Sequence, residues 1–374
     1  MYKELKRLAE SDYYPFHMPG HKRMSFAPGL DDAVKMDITE IDDFDNMHHA
    51  EGIIKTLEEK MAAIFGGMSA YILVNGSTSG ILTAVSCTVK RRGRILMARN
   101  SHKSAYNAAF LNELEISYLY PKILEPYGIN GGIDVEDVRE ALREDSDIEA
   151  VFITSPTYEG IISDVRGISE VCHEAGVPLI VDSAHGAHLG LYEGFSKDYN
   201  ADAAIKCGAD ISICSLHKTL PSFTQTAMVL IDSKLINEDR FKLYYSIYQT
   251  SSPSYVFMAG IDKCVELIER EGQARYRRLD ENLRSIRAKE YKNVSIFGTE
   301  YIGSRTVYGY DPTKLCISAS GIPGRELYDK LRNDFHLQPE MALGSYVLLM
   351  TSLMDTVEGF TRLEDALERI DEDL

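Results

Sequence analysis

The sequence predicts an α/β protein whose mostly parallel sheet is covered by helices on both faces, followed by a smaller α+β unit. Three observations predict it. From residue 56 to 231, short apolar runs alternate with stretches of helical spacing such as DVEDVREALRE and VRGISEVCHEAG. The runs are almost continuously apolar, as strands buried on both faces are, instead of alternating apolar with polar residues. From about 256 to 289 one unbroken helical pattern leads into a remainder where strand-like and helix-like runs mix.

The elements follow in order. The first 50 residues are irregular and rich in His, Pro and Asp, and read as an N-terminal arm (1–50) that packs on something. The large α/β domain is expected over 51–265. Its strands are AYILVN (70–75), RILMAR (94–99), AVFITS (150–155), PLIVDS (178–183), ADISICS (209–215) and TAMVLID (226–232). Residues 266–374 hold the connecting helix and the small α+β domain, with strands at NVSIFG, KLCISAS and YVLLMTS and helices at GRELYDKLRNDF and FTRLEDALERIDEDL. Ligands of such sheets bind beyond the carboxyl ends of the strands, so polar residues just after each strand carry the functional argument.

Composition narrows the function classes. The 374 residues are 44% hydrophobic and 26% charged, an ordinary globular balance. No apolar run approaches the roughly 20 residues of a membrane helix, and the N-terminal MYKELKRLAESD lacks the apolar centre of a signal peptide, so a cytoplasmic protein is expected. A net charge of −17 disfavours nucleic acid and acidic membranes and weakly favours small cationic molecules. The cysteines at 87, 172, 207, 214, 264 and 316 include no C-x-x-C pair and read as core thiols.

Four strand ends hold chemistry-bearing residues. After AYILV comes NGSTSG, where Ser77, Thr78 and Ser79 meet the start of a helix; backbone N–H groups and hydroxyls there suit a phosphate, or simply cap the helix. After RILMAR comes His102, whose ring can stack on a flat ligand or stand on the surface. Asp182 closes the strand PLIV, where a buried carboxylate needs a cationic partner. His185 and His188 follow it without a third ligand, and no metal is expected. After ADISICS comes SLHKTL, where Lys218 is flanked by Ser215 and His217. An amine held there is suited to condensation with an aldehyde. A phosphate turn, a stacking ring, a carboxylate for a pyridinium and an amine for an aldehyde together make the recognition set of pyridoxal phosphate.

Further segments carry a family resemblance. Ser215-Leu-His217-Lys218-Thr219, Pro19-Gly20-His21-Lys22, DITEIDDFDNMHHAEGIIK, TSPTYEG, DSAHGAH and SSPSYVFMAG are similar, in register from residue 13 to about 370, to the Orn/Lys/Arg decarboxylases, pyridoxal-phosphate enzymes of the aspartate aminotransferase-like fold type I. The resemblance implies a mostly parallel seven-stranded sheet and decarboxylation of lysine, arginine or ornithine to the amine, as in polyamine biosynthesis. By the same resemblance Lys218 holds the cofactor covalently, Asp182 pairs with its ring nitrogen, and His102 stacks on the ring. Ser77, Thr78 and Ser79 bind the phosphate with help from Ser215 and His217, and His185 joins the cofactor contacts. The substrate amine displaces Lys218, carbon dioxide leaves, and His217 or Lys218 returns a proton to Cα. Ser251 or Ser252 reaches the phosphate of a neighbouring subunit, which implies a homodimer with its active site at the interface. Longer family members continue into a C-terminal domain; this chain is expected to be a short form.

The same fold and cofactor support transamination and other lyase chemistry, and a non-catalytic pyridoxal-phosphate-binding homologue is a further alternative. The strand KLCISAS lacks the carboxylate-binding arginine common in aminotransferases, though Arg305 or Arg325 could substitute for it. Asp42, Asp43, Asp45 and Glu51 either meet a cationic substrate side chain or form a solvated acidic loop.

Overall fold

The computed structural model describes residues 1–125 and 127–374. Seven strands form the main sheet: β1 (Ser69–Leu73), β2 (Arg94–Ala98), β3 (Glu115–Leu119), β4 (Ile148–Thr154), β5 (Leu179–Asp182), β6 (Ile211–Ser215) and β7 (Ala227–Ile231). Their order is β1-β7-β6-β5-β4-β2-β3. Only β7 runs against the rest, pairing antiparallel with β1 on one side and β6 on the other. The six strand positions expected from apolar runs are all occupied. The seventh, β3, sits at the sheet edge, where most of its side chains are only partly covered. Its run ISYLYP therefore lacks the continuous apolar character of the central strands.

Alternate residues explain why the central strands read as solid apolar runs. Ile95, Met97, Ala150, Phe152 and Ile180 point into one core. Leu96, Ala98, Val151, Ile153, Leu179 and Val181 point into the core on the opposite face. Burial of one such large side chain contributes about 1.5–3 kcal/mol, and sheet faces covered on both sides leave no polar positions between them. Helix Gly76–Thr88 lies close on this sheet. A Cβ at Gly80 would stand 2.6 Å from Leu73 Cδ1 and 3.0 Å from the Ile213 and Val229 methyls. The absence of a side chain there lets the helix start low over the strand ends.

Helix Tyr255–Ala288, capped by Ser254 through the N–H of Phe257, carries the chain out of the sheet and passes unbroken through residue 265. A second sheet follows, with β8 (Val294–Ile296), β9 (Lys314–Ala319), β10 (Met341–Leu343) and β11 (Tyr346–Met350) in the order β8-β9-β11-β10, every pair antiparallel. The arm is less irregular than its composition suggests. Helix Tyr2–Ala9 buries Leu5, and the N–H of Tyr2 donates to Asp262 on the long helix at 2.9 Å. Among the described residues no helix is long and apolar enough to cross a membrane.

Candidate active site

β5 and β6 are parallel neighbours with Asp182 opposite Ile213, so the residues that follow them emerge side by side at the carboxyl edge. Asp182 is 3% exposed, and its Oδ1 accepts the N–H of Ala184 at 3.1 Å. Burial pushes its carboxyl up to about 6; the Ala184 N–H and the nearby Lys218 amine pull in the other direction. Past β6 the chain turns into the short helix Leu216–Thr219, which carries Lys218. The Lys218 Nζ donates to His185 Nε2 at 3.0 Å. Burial lowers the affinity of this amine for a proton, opposed by the carboxylates of Asp182 and Glu340 and reinforced by Lys314. His185 is itself buried. Desolvation, then Lys218 and Lys314, push its pKa down to about 2, so it is a neutral acceptor for the amine.

The phosphate turn lies across from this pair. Helix Gly76–Thr88 begins at Gly76, with φ of +74°, and its N-cap Asn75 makes no side-chain cap, which leaves first-turn N–H groups open. Ser77, Thr78 and Ser79 thus lie in the helix rather than in a loop before it, and they part company. Ser77 Oγ accepts from Ser215 Oγ at 2.9 Å, which joins two of the expected phosphate ligands from distant segments. Thr78 is exposed. Ser79 is buried; its hydroxyl donates to the Gly76 carbonyl at 2.8 Å and accepts from Gln249 Nε2 at 2.6 Å.

His102 caps helix Lys103–Leu111, its Nδ1 accepting from the Ser104 hydroxyl at 2.7 Å, which leaves the neutral ring's proton on Nε2. Burial and then the charges of Lys218 and Lys103 lower its pKa. The Nδ1–H of His217 donates to the Thr226 carbonyl at 2.9 Å and frees Nε2. Ser251 and Ser252 are exposed; their loop is tied to Asn75 Oδ1 by the N–H of Thr250 at 3.3 Å.

Four buried polar atoms at this edge have no hydrogen-bond partner: Asn100 Oδ1 after β2, Thr154 Oγ1 at the end of β4, His185 Nδ1 after β5 and Thr219 Oγ1 after β6. Such groups are costly when left unpaired. Together with an amine, a buried carboxylate and open N–H groups, this unspent capacity fits pyridoxal phosphate.

Sequence reasoning missed a second layer. Tyr158 lies after β4 with its ring centroid 4.4 Å from that of His185, tilted by 52°. Its hydroxyl donates to Glu340 Oε1, from the loop before β10. Behind His185, Asp311 accepts from Lys314 Nζ at 2.7 Å and from His188 Nε2 at 3.0 Å, all fully or almost fully buried. Burial opposes ionisation of Asp311, but His188 and Lys314 hold it far below the usual carboxylate range. Asp311→Ala strands the Lys314 charge and should cost about 3–5 kcal/mol in urea unfolding. Of the acidic residues near the start, Asp45 is committed to backbone. It accepts the N–H groups of Glu51, Gly52 and Ile54 at 2.8–3.0 Å and so anchors helix Ile53–Phe65. Burial works against its charge, yet these donors hold its pKa below the ordinary value. Arg305 and Arg325, both exposed, pair with Asp134 and Asp329.

The fold is that of the pyridoxal-phosphate enzymes of fold type I. Lysine decarboxylase A from Pseudomonas aeruginosa superposes with a TM-score of 0.84 at 19% identity, covering 99% of this chain and 59% of that one. The sequence comparison goes further. The family model described as Orn/Lys/Arg decarboxylase, major domain, matches residues 1–331, and the chain belongs to that family. An arginine decarboxylase of Bacillus subtilis is 30% identical over 99% of this chain and 76% of its own length. An inducible lysine decarboxylase of Escherichia coli is 24% identical over 71% of this chain and 40% of its own. This chain thus spans less than two thirds of the two lysine decarboxylases. The expectation of a decarboxylase acting on a basic amino acid agrees with this membership.

Proposed function

We propose that this chain holds pyridoxal phosphate at the carboxyl ends of β1, β2, β4, β5 and β6 and decarboxylates a basic amino acid, with arginine the first to test. The observation that carries the reading is the Lys218 amine, its proton affinity lowered by burial, near the buried Asp182 carboxylate on adjacent strand ends. Bound there, pyridoxal phosphate supplies the electron sink that lets the bond to the substrate carboxylate break.

Every other task falls to the protein. Lys218 would form the covalent attachment. Asp182 would hold the proton on the ring nitrogen, and its own burial would find a counter-charge in doing so. His102 would cover one face of the ring. Ser77, Thr78, Ser215 and the open N–H groups of the helix take the phosphate; Ser79, whose hydroxyl is committed elsewhere, contributes through its backbone N–H. His185 orients Lys218. His217, anchored through its Nδ1–H, would take up a proton at Nε2 and return it to Cα, with Lys218 as the other donor. The exposed Ser251 and Ser252 reach a neighbouring subunit in a homodimer. A cytoplasmic enzyme that produces amines, as polyamine biosynthesis requires, is consistent with this reading.

The test is direct. Borohydride reduction of the protein incubated with the cofactor should fix it on the peptide containing Lys218, and arginine, lysine or ornithine should then yield carbon dioxide and the amine. A keto acid without carbon dioxide means transamination, and no adduct rejects the cofactor. Ser77→Ala removes one hydroxyl from the phosphate and should weaken cofactor retention roughly 10- to 100-fold in equilibrium dialysis.

A further inference from the structure

The proposed reaction takes an amino acid with a cation at its far end, and Lys218 marks where the near end reacts. Three charges besides histidines act on the Lys218 amine: Asp182, Glu340 and Lys314. Asp182 lies buried at the strand end, and Lys314 is fully buried against Asp311. Glu340 alone is exposed. It belongs to the loop between helix Gly324–Asn333 and β10, and its backbone N–H is pinned to the Leu348 carbonyl at 2.9 Å. One carboxylate oxygen accepts the Tyr158 hydroxyl. Among the described residues no lysine, arginine or histidine pairs with it. An unneutralised carboxylate at the mouth of the site is an open position for a positive guest.

The contacts lead from this carboxylate to the reacting amine without a break. Glu340 holds Tyr158, the Tyr158 ring leans on His185 at 4.4 Å, and His185 Nε2 takes the Lys218 amine at 3.0 Å. We propose that Glu340, steadied by Tyr158, is a specificity-determining residue that pairs with the distal guanidinium or ammonium of the substrate. The Tyr158 ring forms the apolar wall along which the methylenes run. Tyr158 occupies one lone pair of Glu340 and leaves the second oxygen to the cation. A carboxylate is the natural partner of a guanidinium, which binds it through paired N–H donors. Because Glu340 comes from the second sheet's side of the molecule and Lys218 from the first, a basic substrate would bridge the two.

This inference rests on the decarboxylase reading, and the experiment separates the two. kcat/KM is measured for arginine against citrulline, and for lysine against norleucine, in the wild type, Glu340→Gln and Tyr158→Phe. For the basic substrate, Glu340→Gln should lower kcat/KM about 10- to 100-fold, mostly through KM. Its rate with the neutral analogue should fall several-fold less than its rate with the basic one, so the ratio of the two reads the loss of the cation's partner apart from any effect on Lys218. Tyr158→Phe should give a smaller loss of the same sign. Equal loss for basic and neutral substrates, or no loss for the basic one, overturns the assignment of Glu340 alone. A wild type that turns over no basic amino acid removes the parent reading and this one with it.

Discussion

Lys218→Ala should release no measurable carbon dioxide from any basic amino acid, a loss on the order of 10⁴- to 10⁶-fold, as when a covalent catalytic group is removed. Other amines offer no substitute. Lys314 is also drawn toward this region, but it is fully buried and bound to Asp311 and Thr313. Lys103 is exposed on the helix that His102 caps. Lys218→Arg should fail too, because a guanidinium stays protonated at any workable pH and does not condense with an aldehyde. Both variants should fold, since Lys218 is only partly buried and its single side-chain bond is to His185. Circular dichroism and the unfolding midpoint check that point, and loss of the borohydride adduct checks the chemistry. Carbon dioxide release by Lys218→Ala at the wild-type rate would sink the mechanism.

Much of this site was legible because parallel sheets place their chemistry where apolar runs stop. Asp182, His102, Ser215 and Lys218 each follow a run that needs no tertiary knowledge to recognise. What the sequence left open was set by local register or by long-range closure. Ser77, Thr78 and Ser79 look equivalent in NGSTSG. Only the start of the helix at Gly76 decides that Ser77 meets Ser215 while Ser79 turns inward to Gln249. Asp45 looked as available as Asp42 and Asp43 until the turn before helix Ile53–Phe65 brought backbone N–H groups onto it. Tyr158 stands just past the end of β4 and could have been singled out on that ground. Glu340 could not: it reaches Tyr158 across a separation of 182 residues, and no periodicity encodes such a contact. Lys314 was hidden for a different reason. It opens an apolar strand, where a lysine normally signals an exposed end, and its bonds to Asp311 and Thr313 make its full burial tolerable.

Asp182→Asn should trade activity for stability in a pH-dependent way. In the cofactor-free protein the folded carboxyl titrates at about 6, against 3.8 when unfolded. The folded state therefore holds its proton more tightly than the unfolded chain does. That advantage is complete below the unfolded value and is lost as pH rises through about 6, where the protein must bury a charge. The difference amounts to about 3 kcal/mol at neutral pH and above. Asparagine keeps the acceptor for the Ala184 N–H and carries no charge at any pH. Cofactor-free Asp182→Asn should thus be more stable than the wild type by about that amount near pH 8, and the gap should close toward about pH 4. Adding pyridoxal phosphate should reverse the order. The wild-type carboxylate gains a protonated ring nitrogen as partner, whereas the amide neither holds that proton nor matches its charge. The variant should bind the cofactor weakly and lose on the order of 10³-fold in kcat. Urea unfolding of both proteins at the two pH values, with and without cofactor, reads all of these effects. An Asp182→Asn protein no more stable than wild type at the higher pH would mean that this carboxylate is not desolvated. Unchanged kcat would mean that the ring nitrogen has another partner. The same burial that makes Asp182 a burden to the empty fold makes it a strong partner for a buried cation, and that is why a lone acid can be kept at the end of so apolar a strand.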